Sequence, residues 1–335
     1  MRRLSFRPSL TLRRRPFKGL RGWAGKPLHP PPHRRAGGPR LLQSLARAYD
    51  GRPEPPPAVA LGSARDLHAH LGAFDRSART RRARRLADKA RELASPPARL
   101  APEGASNEPG YGFHQIALSA ERTKALAGLE GPGTLNDVLA AALNPAVVRW
   151  NEDHGVDCGR ISVLVPVNLR RREWQQDVAT NFVLESRVST AAGERVSPGA
   201  TLEAVAAGTE PIKAGGGAAL IEALEASAPL PACAKRQLSP ILSLTADRLV
   251  DTAVLSNLGK LDNAPSFGAH IRKTSEVWFS APARMPCGLS AGVVTVAGRL
   301  HLVFRYRWAL WDAEAAGAFA ARYVSELGRY VGERW

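Results

Sequence analysis

The sequence predicts an α/β fold, a mixed β-sheet flanked by helices, and three patterns support that prediction. Apolar residues recur at every second position within Arg160–Val167, which is the period of a β-strand. Within Thr134–Trp150 they recur at helical spacing. Residues Gly292–Arg307 form two strand-like runs around Ala297-Gly298, a pair typical of a hairpin turn. Strands interspersed with helices along one stretch of chain favour an α/β sheet.

The remaining elements follow from the same two periods and from Gly and Pro punctuation. Leu41, Leu42 and Leu45 fall at helical spacing and predict a short amphipathic helix that ends at Tyr49-Asp50. Further strands are predicted at 112–118, 180–188, 252–256 and 276–280, and helices over 201–227, over 232–250 and after the capping residue Asp312.

Composition divides the chain into four predicted regions. Residues 1–40 form a basic arm that we expect to be disordered, and residues 41–94 a helical remnant of an N-terminal subdomain. Residues 95–110 are rich in Pro and Gly and predict a linker. Residues 111–335 hold the α/β pattern and predict the main folded domain.

The net charge of +17 is concentrated at the start of the chain. Residues 1–49 hold thirteen Lys and Arg and no Asp or Glu, which leaves a net charge of +4 for residues 50–335. Three interpretations stay open: a nucleic-acid-binding arm, an organelle transit peptide, and a segment read upstream of the true start or in the wrong frame of a G+C-rich gene. We favour the third. A secretory signal is excluded because the arm lacks an apolar run of roughly 7–15 residues.

The cysteines and the apolar runs indicate a soluble, cytoplasmic protein. Cys158, Cys233 and Cys287 lie far apart and predict neither a disulfide framework nor a zinc site. No run approaches the roughly 18 apolar residues of a membrane helix. The pair His68 and His70 has no accompanying carboxylate or cysteine set, so we expect no metal site and no cofactor.

Four short stretches, taken in their order and spacing, suggest a family. They are Thr134–Leu139, Val165–Arg170, Ser256–Gly259 and Trp278–Pro286. Together they resemble the condensation domains, wax-ester synthases and alcohol acetyltransferases, which share the chloramphenicol-acetyltransferase-like fold. The resemblance covers roughly residues 112–331, with a remnant at 33–57. It implies a C-terminal subdomain that is largely complete, an N-terminal subdomain that is mostly missing, and acyl transfer from a thioester to an alcohol or amine.

The resemblance implies His33 as the catalytic residue. The family signature H-H-x-x-x-D-G places a general base at its second His, and His33 and Gly38 match that base and the final Gly. An imidazole with a pKa near 6.5 can take the proton of an acceptor as it attacks an acyl thioester. Pro32 replaces the first His, however, and Gly37 replaces the Asp. Two alternatives therefore stay open: that His33 has no role, and that the chain is an inactive remnant or a binding module.

Two further elements are implied to line the substrate tunnel. Asn136 and Asp137 match the family's Asn-Asp element, although Thr134-x-x-Asp137 also fits a capping box, which is the role we favour for Asp137. The second element is the turn Ser256-Asn257-Leu258-Gly259, in which the Asn257 amide would donate to the developing oxyanion.

Arg170 is implied as an ion-pair partner of the motif's Asp. Because Gly37 occupies that position, a solvated arginine at a strand end is the simpler interpretation. The expected partners are an acyl donor, either a CoA thioester or an acyl or peptidyl carrier protein, and a small acceptor. Nucleic-acid or acidic-surface binding through residues 1–49 is the second alternative function, and it predicts affinity that falls steeply with salt.

Overall fold

The structure, a computed structural model, describes residues 37–54, 95–168, 183–215, 251–261, 264–268, 274–283 and 285–335. The predicted α/β class is confirmed, with a mixed sheet of six strands and helices packed against it. The helices are α1 (Gly37–Tyr49), α2 (Ala120–Ala127), α3 (Leu135–Asp153), α4 (Pro198–Gly215) and α5 (Ala313–Tyr330). The strands are β1 (Tyr111–Ala117), β2 (Ile161–Asn168), β3 (Val183–Thr190), β4 (Ala253–Lys260), β5 (Leu289–Val296) and β6 (Arg299–Arg307).

The sheet has the strand order β1-β6-β5-β4-β2-β3. The pairs β1/β6, β5/β6 and β2/β3 are antiparallel, whereas β4 runs parallel to both β2 and β5. The predicted hairpin joins β5 and β6, with Val296 opposite Arg299.

One face of the sheet packs on helices and forms the main core. Leu255, Val293 and Phe304 lie on this face, and none is more than 1% exposed. They pack with α3 and α5, where the Tyr323 hydroxyl donates to the Leu139 carbonyl at 2.9 Å. Side chains alternate between the two faces of each strand, but burial runs almost unbroken along β5 and β6 because both faces of these central strands are covered.

The opposite face, called here the open face, carries a smaller cluster of Val254, Ala281 and Cys287. The segment 274–283 crosses this face in place of the strand predicted at Glu276–Ser280, which was wrong. The reason lies in Gly292 of β5, where a Cβ atom would overlap the backbone carbonyl of Phe279. The segment therefore lies across the sheet instead of pairing at its edge.

Helix α3 contains Pro145 and still runs to Asp153. Proline removes one N–H from a helix and leaves the carbonyl four residues earlier without its partner. The Asn144 side chain compensates, because its Nδ2 donates to the carbonyls of Ala140 at 3.0 Å and Ala141 at 3.4 Å. His154 is the C-cap of the helix.

The β5–β6 turn offers a simple test of backbone strain. Ala297 has φ = 49° and Gly298 has φ = 74°, the left-handed pair that a two-residue hairpin turn requires. Alanine is disfavoured there, whereas asparagine tolerates this region. We expect Ala297→Asn to raise the free energy of unfolding by about 0.5–1 kcal/mol, measured by urea denaturation. Ala297→Val should lower it, and the opposite order would contradict the assigned turn.

Among the helices of the described ranges, none is both long enough and apolar enough to cross a lipid bilayer.

Candidate functional site

The turn at the end of β4 is the best-defined part of the candidate site. Gly259 has φ = 75°, and its N–H donates to Oδ1 of Asn257 at 2.8 Å. Asn257 lies opposite Val293 and Lys260 opposite Thr295, so β4 holds one residue more than β5 over this span. The extra residue makes a β-bulge, a feature that redirects side chains at the end of a strand.

This bulge fixes the orientation of the Asn257 side chain. Since Oδ1 accepts from the Gly259 N–H, Nδ2 is the part of the amide that is left to donate a hydrogen bond. Asn257 is half-buried, and Ser256 beside it is buried. The geometry is thus that of a positioned amide donor at the end of a parallel strand.

Asp137, predicted as either a tunnel or a capping residue, caps α3. One carboxylate oxygen accepts from the Thr134 N–H at 2.6 Å and from the Thr134 hydroxyl at 2.8 Å. The other accepts from the Thr209 hydroxyl of α4 at 2.7 Å. Asp137 is fully buried, so it joins two helices as well as capping one. Asn136 is half-buried on the first turn of α3, and its predicted place beside a tunnel stays a prediction.

His33 and Arg170 lie outside the described residues, so their predicted roles stay predictions. Helix α1, which begins four positions after His33, is described and ends as predicted at Tyr49. Beyond its end, Arg52 donates to the Ser266 carbonyl at 3.0 Å, and the Tyr49 ring packs edge-on against Phe267 at 5.9 Å. Helix α1 therefore packs against the segment 264–268.

This contact connects two predicted parts of the site. The segment 264–268 follows the Asn257 turn in the chain, and α1 begins with Gly37 and Gly38, the last two residues of the His33 motif. A cleft of about 290 Å³ lies between them, lined by Gln43, Arg47 and Ser266 among others.

The sequence analysis missed a buried histidine on the open face. His301 of β6 is 0% exposed and packs perpendicular to the Trp278 ring at 4.9 Å. Neither of its ring nitrogens makes a hydrogen bond of good geometry within the described ranges. Burial lowers its pKa, and the imidazole is neutral at pH 7. The strand pattern places His301 on the open face, but it does not show what covers it.

Two of the large apolar residues in the stretch Trp278–Pro286 are packing residues. Trp278 contacts His301, and Phe279 packs against the cluster of Val254 and Ala281. Met285 is 46% exposed and is a surface residue.

Two histidines predict opposite pH dependences of stability. Burial lowers the pKa of His301 in the folded protein. Below about pH 6.5, therefore, the unfolded chain binds a proton more readily than the folded chain does, and the free energy of unfolding decreases as the pH falls. The Nδ1–H of His154 donates to the Trp150 carbonyl at 2.6 Å, and Nε2 lies 2.8 Å from a carboxylate oxygen of Glu103. These contacts raise the pKa of His154. The stability that protonated His154 contributes is present at low pH and is lost as the pH rises through the pKa that His154 has in the folded protein.

We therefore expect His301→Gln to flatten the loss of stability between pH 7 and pH 5, whereas His154→Gln should steepen it. Urea denaturation at a series of pH values measures both slopes. Parallel curves for the two variants would contradict the assigned environments.

Within the ranges that the structure describes, no group of three or more His, Cys, Asp and Glu side chains lies close enough to hold a metal ion. His68 and His70 fall outside those ranges. Cys287 is buried, which raises the pKa of its thiol to about 12.

Comparison with known proteins identifies relatives in sequence and in structure. No protein-family model matches the chain. The chain is 37% identical over 298 residues to a protein found in two strains of Mycobacterium tuberculosis, each bearing the name "Uncharacterized protein". The match covers 87% of this chain and 68% of the mycobacterial protein.

Three solved structures share the fold at low sequence identity. The epimerization domain of the third module of tyrocidine synthetase B aligns with TM-score 0.54 and 14% identity, over 89% of this chain and 66% of that one. The EpoB cyclization-docking bidomain from Sorangium cellulosum aligns with TM-score 0.58 and 16% identity, over 90% of this chain and 59% of that one. The trichothecene 15-O-acetyltransferase of Fusarium sporotrichioides aligns with TM-score 0.57 and 11% identity, over 89% of this chain and 64% of that one. The chain thus spans about three fifths to two thirds of these structures.

Proposed function

We propose that this chain transfers an acyl group from a thioester to an alcohol or amine. It belongs to the same family as the mycobacterial protein, and it has the condensation-type, chloramphenicol-acetyltransferase-like fold. The observation that carries the proposal is the β4 bulge, which holds the Asn257 amide as a donor beside a buried strand end. The shared fold with the trichothecene 15-O-acetyltransferase supports acyl transfer as the reaction class.

In the proposed reaction His33 acts as general base. Its imidazole removes the proton of the acceptor O–H or N–H as that atom attacks the thioester carbonyl. The carbonyl oxygen becomes an oxyanion, to which the Asn257 Nδ2 donates a hydrogen bond. Collapse of the intermediate breaks the C–S bond, and the thiolate takes the proton from the imidazolium. The products are an ester or amide and a free thiol, without a covalent enzyme intermediate.

The donor is an acyl-CoA or an acyl or peptidyl carrier protein, and the reaction requires no metal or other cofactor. Nonribosomal peptide synthetase domains among the similar structures support a carrier protein as one possible donor. We place the reaction in the cytoplasm, where both kinds of thioester are made.

A second candidate function is a catalytically inactive member of the same fold that binds a ligand or partner. The observation that favours it is the His33 motif itself, in which Pro32 and Gly37 replace two family residues. A base is effective only when its ring is held within reach of the reacting proton, and the lost residues are those that would hold it.

Release of free thiol from acyl-CoA donors of short and long chain separates the two functions. Under the first proposal the parent releases thiol in the presence of a small alcohol or amine, and His33→Ala slows this by about 10²–10⁴-fold. Equal rates for parent and variant would remove His33 from the mechanism. Absence of release from every CoA donor, and from a loaded carrier protein, would support the inactive alternative.

A further inference from the structure

Strand β1 presents two exposed aromatic rings at the edge of the sheet. Tyr111 is 44% exposed and Phe113 is 51% exposed, and the two rings meet edge-on at 5.4 Å. They lie opposite Arg307 and Arg305 of β6 and therefore share the open face with these arginines.

The two arginines of this surface lack an acidic partner in the part of the chain that the structure describes. The guanidinium carbon of Arg305 lies 3.8 Å from the centre of the Tyr111 ring and 5.9 Å from that of Phe113. The Nε–H groups of Arg305 and Arg307 are buried and donate to no acceptor among the described residues. Burial, and then the positive charge of Arg307, lower the pKa of Arg305.

Strand β1 is also an edge strand, and its outer side pairs with no other strand within the described ranges. An edge strand that carries exposed aromatic residues is a template for a further strand. Proteins usually protect such an edge with charged residues or a covering segment, whereas β1 leaves the rings of Tyr111 and Phe113 exposed.

We infer that the surface formed by Tyr111, Phe113, Arg305 and Arg307, called here the Arg-aromatic surface, binds an extended acidic segment of a partner protein. The segment pairs with the outer edge of β1 through its backbone, and its carboxylates bind the two guanidinium groups. This inference goes beyond the proposed acyl transfer and does not depend on it.

Charge selects this occupant over a second copy of the chain. Two copies joined through β1 would bring two pairs of arginines together, and like charges across an interface oppose association. An acidic strand supplies the missing carboxylates, and Tyr, Trp and Arg are the residue types that most often dominate binding energy at interfaces.

The test uses the full chain and a fluorescein-labelled peptide of about eight residues with alternating Glu and Val, a pattern that favours a strand. Fluorescence anisotropy is expected to show binding that weakens with salt. Arg305→Gln combined with Arg307→Gln should weaken it at least about tenfold, and so should Phe113→Ser. The matched control is Arg122→Gln, because Arg122 also stacks on a ring, that of Trp335 at 5.1 Å, on another surface.

Three results would overturn the inference: no binding of the Glu-Val peptide, equal loss in Arg122→Gln and in the double variant, or displacement of the peptide by an oligothymidylate that binds more tightly at the same residues. The last would identify a single-stranded nucleic acid as the partner. Hydrogen exchange provides a second readout that needs no variant. The peptide should protect amides of Tyr111–Ala117, and unchanged exchange there would contradict strand pairing.

Discussion

Replacement of Asp137 by alanine is expected to lower the free energy of unfolding by about 3 kcal/mol. The lost helix cap contributes ~1 kcal/mol of this, and the buried donors left without an acceptor contribute ~1–3 kcal/mol. The carboxylate is fully buried and accepts hydrogen bonds from the backbone and hydroxyl of Thr134 and from Thr209. Removing it therefore weakens both the start of α3 and the contact between α3 and α4.

Urea denaturation followed by circular dichroism measures this effect, and Asp312→Ala is the matched control. Asp312 caps α5 through a single 2.8 Å bond to the Ala315 N–H and is exposed. The Asp312→Ala substitution should lower the free energy of unfolding by only about 1 kcal/mol, the usual effect of removing an N-cap. Equal losses in the two variants would show that the buried contacts of Asp137 add nothing to stability.

Gly292→Val is expected to cost about 3 kcal/mol, the upper end of the range for overpacking a dense interior. A Cβ at this position would overlap the carbonyl of Phe279 and the Cα of Ser280, which are backbone atoms that no rotamer change can move away. The substitution should also displace segment 274–283 and increase its cleavage by proteases.

Strand propensity alone predicts that Gly292→Val stabilises the protein, because valine is favoured over glycine in a strand. Gly159→Val is the control, since a Cβ at Gly159 has no atom within 4 Å. Stability of Gly292→Val equal to that of the control would contradict the close crossing of β5 by segment 274–283.

Features that depend on local periodicity could be predicted from the sequence. The alternation in β2, the apolar stripe of α3 and the hairpin at Ala297-Gly298 each involve residues within a few positions of one another. The capping box of α3 also follows from local spacing, because Thr134 and Asp137 lie three positions apart.

Contacts between distant segments could not be predicted, because they leave no period in the sequence. Trp278 and Phe279 suggested a strand by composition, yet their segment crosses the open face above Gly292. The burial of His301 and the stacking of Arg305 on Tyr111 depend on which strands become neighbours. The resemblance identified Asn257, but only the structure shows that its Oδ1 accepts from the Gly259 N–H, which leaves Nδ2 as the donor of the amide.

The rate of thiol release by Asn257→Ala, compared with that of Asn107→Ala, tests whether the Asn257 amide stabilises the oxyanion. Asn107 lies exposed in a loop, so its truncation removes the same side chain without touching the β4 turn. With both variants folded to the same extent, loss of an oxyanion donor should slow Asn257→Ala by about 10²–10³-fold and leave Asn107→Ala at the parental rate. Equal rates for the two variants would contradict the role given to the Asn257 amide and to the bulge that orients it.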